Sequence, residues 1–186
     1  DDPRTSDSFG RIVNERHAQR LKALLDAGGY KAVACGGTVD TAARYVAPTV
    51  LAGVDADAAV MGEEIFGPIL PVLPVAGVDE AVAYVNGHDK PLALYVFTNS
   101  GATADRVLRT TSSGGACVND VVTHALVGSL PFGGVGPSGT GAYHGRWGFE
   151  QFSHRKAVHE RPRWMELKAL YPPYTAAKEK FLRRFF

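Results

Sequence analysis

Positions 13, 17, 21, 24 and 25 of the chain hold Val13, His17, Leu21, Leu24 and Leu25, one stripe at helical spacing. Ser8 stands where a cap belongs, and Gly28-Gly29 follows. This spacing predicts an amphipathic helix over residues 8–26, stopped by the two glycines. Short β-rich runs come next, at Lys31–Cys35 and Val46–Leu51. From there the pattern alternates. Residues 69–75 read as a strand, with Pro71 and Pro74 pushing it to an edge. Residues 79–86 read as a helix with Val78, Val82 and Val85 on one face, closed by Gly87. Leu92–Thr98 is a near-continuous apolar run, as in buried parallel strands. A helix over 102–111 and a strand over 115–119 complete a β-α-β-α-β order, which predicts a parallel α/β layer.

The alternation ends at Asn119. Residues 121–145 are rich in glycine and carry Pro131, Phe132, Pro137, Tyr143 and His144, the composition of a long functional loop. Gly134, Gly136 and Gly139 match G-x-G-x-x-G. A dinucleotide fingerprint needs a strand before it and a helix after it. Here a poor strand precedes, Pro137 falls inside, and Arg161-Pro162-Arg163 occupies the place of the expected acid. The glycines instead predict a backbone that approaches something closely. Residues 152–159 read as an isolated strand, followed by a charged tail that ends KEKFLRRFF.

Composition narrows the classes. With 186 residues, 45% of them hydrophobic, the chain can bury one sizeable core. A net charge of +1 gives no field for nucleic acid or an anionic membrane. No stretch reaches the about 20 apolar residues of a membrane helix. Two cysteines, Cys35 and Cys117, make no disulfide framework and no zinc spacing, which fits a reducing compartment such as the cytoplasm. The polar opening DDPRTSDSFGR, without an initiating Met, reads as part of a longer protein.

Candidate chemistry concentrates in two places. Glu64 and Phe66 lie two positions apart before Gly-Pro, so an extended backbone would send both to one face. A carboxylate accepts bonds from ribose hydroxyls and a phenyl face packs on a flat heterocycle. The same residues also suit a strand end with a solvated acid and a core aromatic. His124 and His144 bracket the aromatic loop, where a site role and a structural hydrogen bond both suit them. Neither cysteine has a His or Lys beside it in sequence, and no G-x-S-x-G supports a serine hydrolase.

Five segments occur in a telling order: EEIFGPILPV at 63–72, KPLALYVFT at 90–98, TSSGGACVND at 111–120, PFGGVGPSGTGAYHG at 131–145 and FSHRKAV at 152–158. They resemble the C-terminal part of an aldehyde dehydrogenase. The ALYVF run, GAYHG and the late YPP look most like the class 3 branch, which includes the fatty-aldehyde enzymes. The resemblance implies an α/β, parallel-sheet catalytic domain with a C-terminal oligomerisation strand and tail. Residues 1–148 would be part of the catalytic domain, 149–162 the oligomerisation segment and 163–186 the tail. The Rossmann cofactor domain, the nucleophilic cysteine and the glutamate base would all lie upstream, leaving this chain inactive alone. The implied reaction is oxidation of an aldehyde to an acid with NAD or NADP through a cysteine thioester.

By the same resemblance, Glu64 matches the acid that holds the nicotinamide ribose and Phe66 the aromatic beside the nicotinamide. Phe132 matches an aromatic wall of the aldehyde pocket. Val122, Ala125 and Leu126 fall where class 3 members line that pocket, His144 on a pocket-side histidine, and Asn119 at the turn that opens the loop. Ala125 and Leu126 depart from the larger or polar residues common there. The implied assembly is a homodimer joined through residues 152–160. A non-catalytic oligomerising or pairing module derived from the same family is the other reading of the chain.

Overall fold

The computed structural model describes residues 2–184; Asp1 and the last two tail positions, Phe185 and Phe186, lie outside the described residues. Helix α1 runs over Glu15–Asp26, shorter than expected at its start. Asn14 supplies the cap, its side chain accepting a bond from the His17 amide at 3.0 Å. That satisfies an amide with no partner inside the helix, and Ser8 lies in the turn-rich approach. Gly28 and Gly29, at φ +72° and +81°, end the helix as expected. Its buried stripe is Ala18, Leu21, Leu24 and Leu25, while Val13 stays exposed.

Strand β1 spans Tyr30–Cys35, followed by β2 (Val39–Asp40), β3 (Tyr45–Val46), β4 (Thr49–Val54) and β5 (Ile69–Val72). The run expected at 46–51 is thus split. β3 pairs antiparallel with β2, and β4 forms the centre of a three-stranded sheet. β1 joins β4 antiparallel and β5 joins it parallel. β5 lies at the edge, where Pro71 forfeits no ladder bond that a further strand would need. The core forms where α1 meets this sheet: Leu21, Leu24 and Leu25 pack with Val46, Leu51 and Ile69. Each such side chain, fully buried, stabilises the fold by about 1.5–3 kcal/mol.

Helix α2 covers Val78–Asn86, strand β6 Ala93–Val96, helix α3 Gly101–Thr110 and strand β7 Gly115–Val118. All four elements stand where the alternation predicted. β6 and β7 pair in parallel, in register from Ala93–Gly115 to Val96–Val118. The expected layer is nevertheless divided, because β5 pairs with β4 and not with β6. The apolar run at 92–98 is also less buried than a central parallel strand: Tyr95 and Phe97 are exposed. α2 and α3 lie side by side, joined by the Arg106–Asp79 ion pair and by Asn86 donating to the Thr110 carbonyl at 2.8 Å. Val82, Val85, Leu94, Val96 and Val107 line an open apolar cavity of about 370 Å³ between the helices and β6.

The strand expected at 152–159 does not form. Helix α4 occupies Gly145–Gln151, and residues 154–160 are irregular and exposed. A strand exists only where another backbone offers a ladder, and nothing among the described residues offers one here. The segment is tied at its start, where Arg155 pairs with Glu150. Glu150 also accepts from Arg146 at 2.6 Å, and these two guanidiniums, Arg146 first, hold its carboxyl below the usual carboxylate range. The tail adds a short helix, α5, over Ala176–Leu182. No helix among the described residues is long and apolar enough to cross a membrane.

Candidate functional site

The segment before β5 is held from α1. Arg20 makes an ion pair with Glu63 at 3.1 Å and donates to the backbone carbonyls of Glu64, at 3.3 Å, and Ile65. The Pro68 carbonyl then accepts from the Thr49 amide at 2.8 Å, leading into the sheet. Between these anchors Phe66 takes φ +47°, so the segment is not extended and simple alternation does not order its side chains. A left-handed phenylalanine is an outlier that persists only where its surroundings determine it. The ring ends 81% exposed, beside Arg11, Ile12, Val13 and His17 on one concave surface. The Glu64 side chain is exposed as well. A carboxylate and a phenyl ring thus face water on a backbone held by Arg20. Nothing in their spacing pointed to Arg20, which stands 44 positions before Glu64.

The second group surrounds Phe132. Asn119 closes the end of β7, at φ +57°. Its amide donates to the Thr98 carbonyl at 2.9 Å and its carbonyl accepts from the Thr98 amide at 2.7 Å. Those bonds tie the ends of β6 and β7 together, so this side chain opens the loop by fastening it. Val122 follows at φ +64°, a costly conformation for a β-branched residue, and starts a 3-10 turn over Thr123–Ala125. Leu126 is 80% exposed, Val122 is exposed and Ala125 half-buried. His124, on the same turn, is buried.

Phe132 reaches this turn from the glycine-rich loop. Its backbone forms a two-bond bridge with Tyr143, at 3.1 and 2.9 Å. Its ring lies 5.5 Å from Tyr143 edge-on, 5.5 Å from His124 and 6.0 Å from His144 in a stacked arrangement. The glycines do approach something closely: their own loop, and the backbone of Gly114 just before β7. A Cβ on Gly134 would come 2.2 Å from the Ser138 carbonyl oxygen. No strand and helix flank them: Gly136–Ser138 is a 3-10 turn, with Val135 donating to the Ser138 hydroxyl at 2.9 Å. This agrees with setting the fingerprint aside.

The structure therefore gathers Val122, Ala125, Leu126, Phe132 and His144 around one loop, with Asn119 at its root. Glu64 and Phe66 form a separate group whose bonds run to α1. Sequence reading missed the partners of this loop, Tyr95 and Cys117. Cys117 reaches the His124 ring from β7 through the turn that follows it, and the parallel pairing of β6 with β7 brings Tyr95 to the same ring.

A family model described as the aldehyde dehydrogenase family matches residues 1–158. The chain is 51% identical over 184 residues to aldehyde dehydrogenase family 3 member B1 of Homo sapiens, covering 98% of this chain and 39% of that protein. It is 50% identical over 174 residues to aldehyde dehydrogenase, dimeric NADP-preferring, of Bos taurus, covering 92% of this chain and 72% of that sequence. Among solved structures, the substrate-bound state of Staphylococcus aureus AldH superposes with a TM-score of 0.84 at 42% identity. That match covers 98% of this chain and 40% of the other, so the chain spans about two fifths of the length of these longer relatives.

Proposed function

The chain belongs to the aldehyde dehydrogenase family, and from that premise we propose that the full-length protein containing it oxidises aldehydes to carboxylic acids with NAD or NADP. The match over residues 1–158 carries this reading, and the exposed geometry of Glu64 and Phe66 supports it. A nicotinamide nucleoside needs a flat apolar face and an acceptor for its hydroxyls. An exposed phenyl ring and an exposed carboxylate on one anchored segment fit that need. When bound, the cofactor supplies the hydride acceptor. Glu64 would orient the ribose and Phe66 would pack beside the ring, fixing the geometry on which transfer depends. Purified full-length protein given NAD or NADP and short, medium and aromatic aldehydes is expected to form the reduced cofactor. No reduction with any of them would overturn the reading.

Phe132, with Val122, Ala125, Leu126 and His144 around the same loop, is read as the wall of the aldehyde pocket. Phe132→Ala is expected to weaken selection for long or aromatic aldehydes by about 1–3 kcal/mol, the range for apolar pocket changes. Comparing kcat/KM for a short and a long aldehyde tests it. Equal loss for both would mean a packing defect.

Residues 1–148 are read as part of the catalytic domain, 149–162 as an oligomerisation segment and 163–186 as a tail. The exposed, unpaired backbone of 154–160 supports this division, since it suits a strand that finds its ladder on a second subunit. The full-length protein is then expected to sediment as a homodimer and to lose that state when 152–186 are deleted. A dimer that survives the deletion would remove this segment from the interface.

A further inference from the structure

We infer that Cys117 and His124 form a buried thiol–imidazole clamp that positions Phe132, making Cys117 a specificity-determining residue although it never meets the substrate. The inference rests on the reading of Phe132 as the pocket wall. Both residues are only 8% exposed. The Cys117 sulfur lies 3.2 Å from His124 Nδ1, and the Thr123 hydroxyl stands 3.7 Å from the same sulfur. Either the thiol donates to Nδ1 or Nδ1–H donates to the sulfur; in both cases the imidazole plane is fixed.

The rest of the ring is held by packing. A Cβ on Gly115 would fall 2.5 Å from His124 Cδ2, so the imidazole lies directly against bare backbone of β7. Tyr95 of β6 meets the ring edge-on at 6.0 Å. His124 Nε2 is buried without a hydrogen-bond partner. A buried polar atom left unpaired is costly, so the Cys117 bond is the polar contact that favours this placement. Two residues earlier, Val122 is held at φ +64°. Such strain persists where the surroundings over-determine it.

The clamp matters because of what touches Phe132. Tyr143 and His144 belong to the same glycine-rich loop as Phe132. His124 is the ring contact that connects Phe132 to the sheet. The Gly133–Gly134 backbone seats the loop against Gly114 just before β7, and the path from the sheet to the Phe132 ring runs from Cys117 through His124. Removing the thiol takes away the polar contact that sets the imidazole plane, and the Phe132 ring loses that side-chain support.

The test is a double-mutant cycle in the full-length protein. Cys117→Ala is expected to lower the ratio of kcat/KM for a long aldehyde over a short one by about tenfold, within the range of an apolar wall contact. The short aldehyde should lose far less. Cys117→Ser, which keeps a donor to Nδ1, should restore most of the ratio. In a His124→Leu background, Cys117→Ala should change the ratio no further, because the residue acts through the ring. Additive effects, or Ser behaving as Ala does, would overturn the clamp. If His124→Leu does not fold, the comparison of Ser with Ala decides alone. If the unaltered protein oxidises no aldehyde, the functional reading falls instead. The same variants are then read by melting temperature, where non-additive shifts support the clamp and additive ones refute it.

Discussion

The 186-residue chain, purified alone and given NAD or NADP with a medium-chain aldehyde, is expected to turn over no substrate. The family reaction begins with a thiolate attacking the carbonyl, and this requires an accessible thiol with a base or an electropositive setting. Neither cysteine meets that requirement. Cys117 is buried in β7, its sulfur engaged with His124 and Thr123. Cys35 is exposed at the end of an edge strand, its thiol directed to the Pro48 carbonyl at 3.8 Å. Turnover should fall on the order of 10⁴-fold or more below the full-length protein, the scale on which losing a nucleophile acts. Clear turnover by the chain alone, abolished by Cys35→Ser or Cys117→Ser, would show that one of these thiols does serve.

The second large effect is expected from Glu64→Gln in the full-length protein. On the proposed reading, replacing the carboxylate removes a charge-assisted bond to ribose, worth about 1.5–3 kcal/mol. Single-turnover hydride transfer should slow by roughly 10- to 100-fold, with a smaller change in aldehyde binding. The structure suggests a sharp control. Arg20 holds this segment through the Glu63 carboxylate and through the backbone carbonyls of Glu64 and Ile65. The Glu64 side chain takes no part in that support, so Gln should leave the melting temperature unchanged. Glu63→Gln, by contrast, removes a half-exposed ion pair, costing at most about 1 kcal/mol, and should touch stability before hydride transfer. Equal behaviour of the two variants would make Glu64 an ordinary surface acid.

The positions of the elements were largely legible because local periodicity creates them. The stripe of Leu21, Leu24 and Leu25 can form only as a helix against a core. The runs ending at Gly87 and Thr111 alternate between helix and strand periods with little ambiguity. Three features escaped that logic. Helix α4 carries Gly145 and Gly148, so its propensity is poor, and the Arg146–Glu150 pair that supports it is a weak signal. The strand expected at 152–159 has apolar and polar residues suited to one but finds no ladder in its own chain. The division of the parallel layer depends on which strand β5 chooses, and β4 offers it a longer, better buried neighbour than β6.

Site residues followed the same division. Glu64, Phe66, Phe132 and His144 are candidates because their motifs stand in order, and motif order is a property of the chain. How those side chains are presented is not. Phe66 owes its exposed ring to a left-handed backbone between Arg20 and Thr49, and Asn119 spends its amide on Thr98. His124 meets Cys117 because the turn after β7 folds back on the strand, and Tyr95 because β6 and β7 lie in register. Helix and strand periods, turn residues and ordered motifs are local, so the sequence by itself determined most of the elements, the family and the candidate residues. Strand choice, left-handed strain and the partners of buried polar atoms depend on contacts between distant segments. Only the tertiary structure decided them, because their energies arise when those segments meet and exclude water.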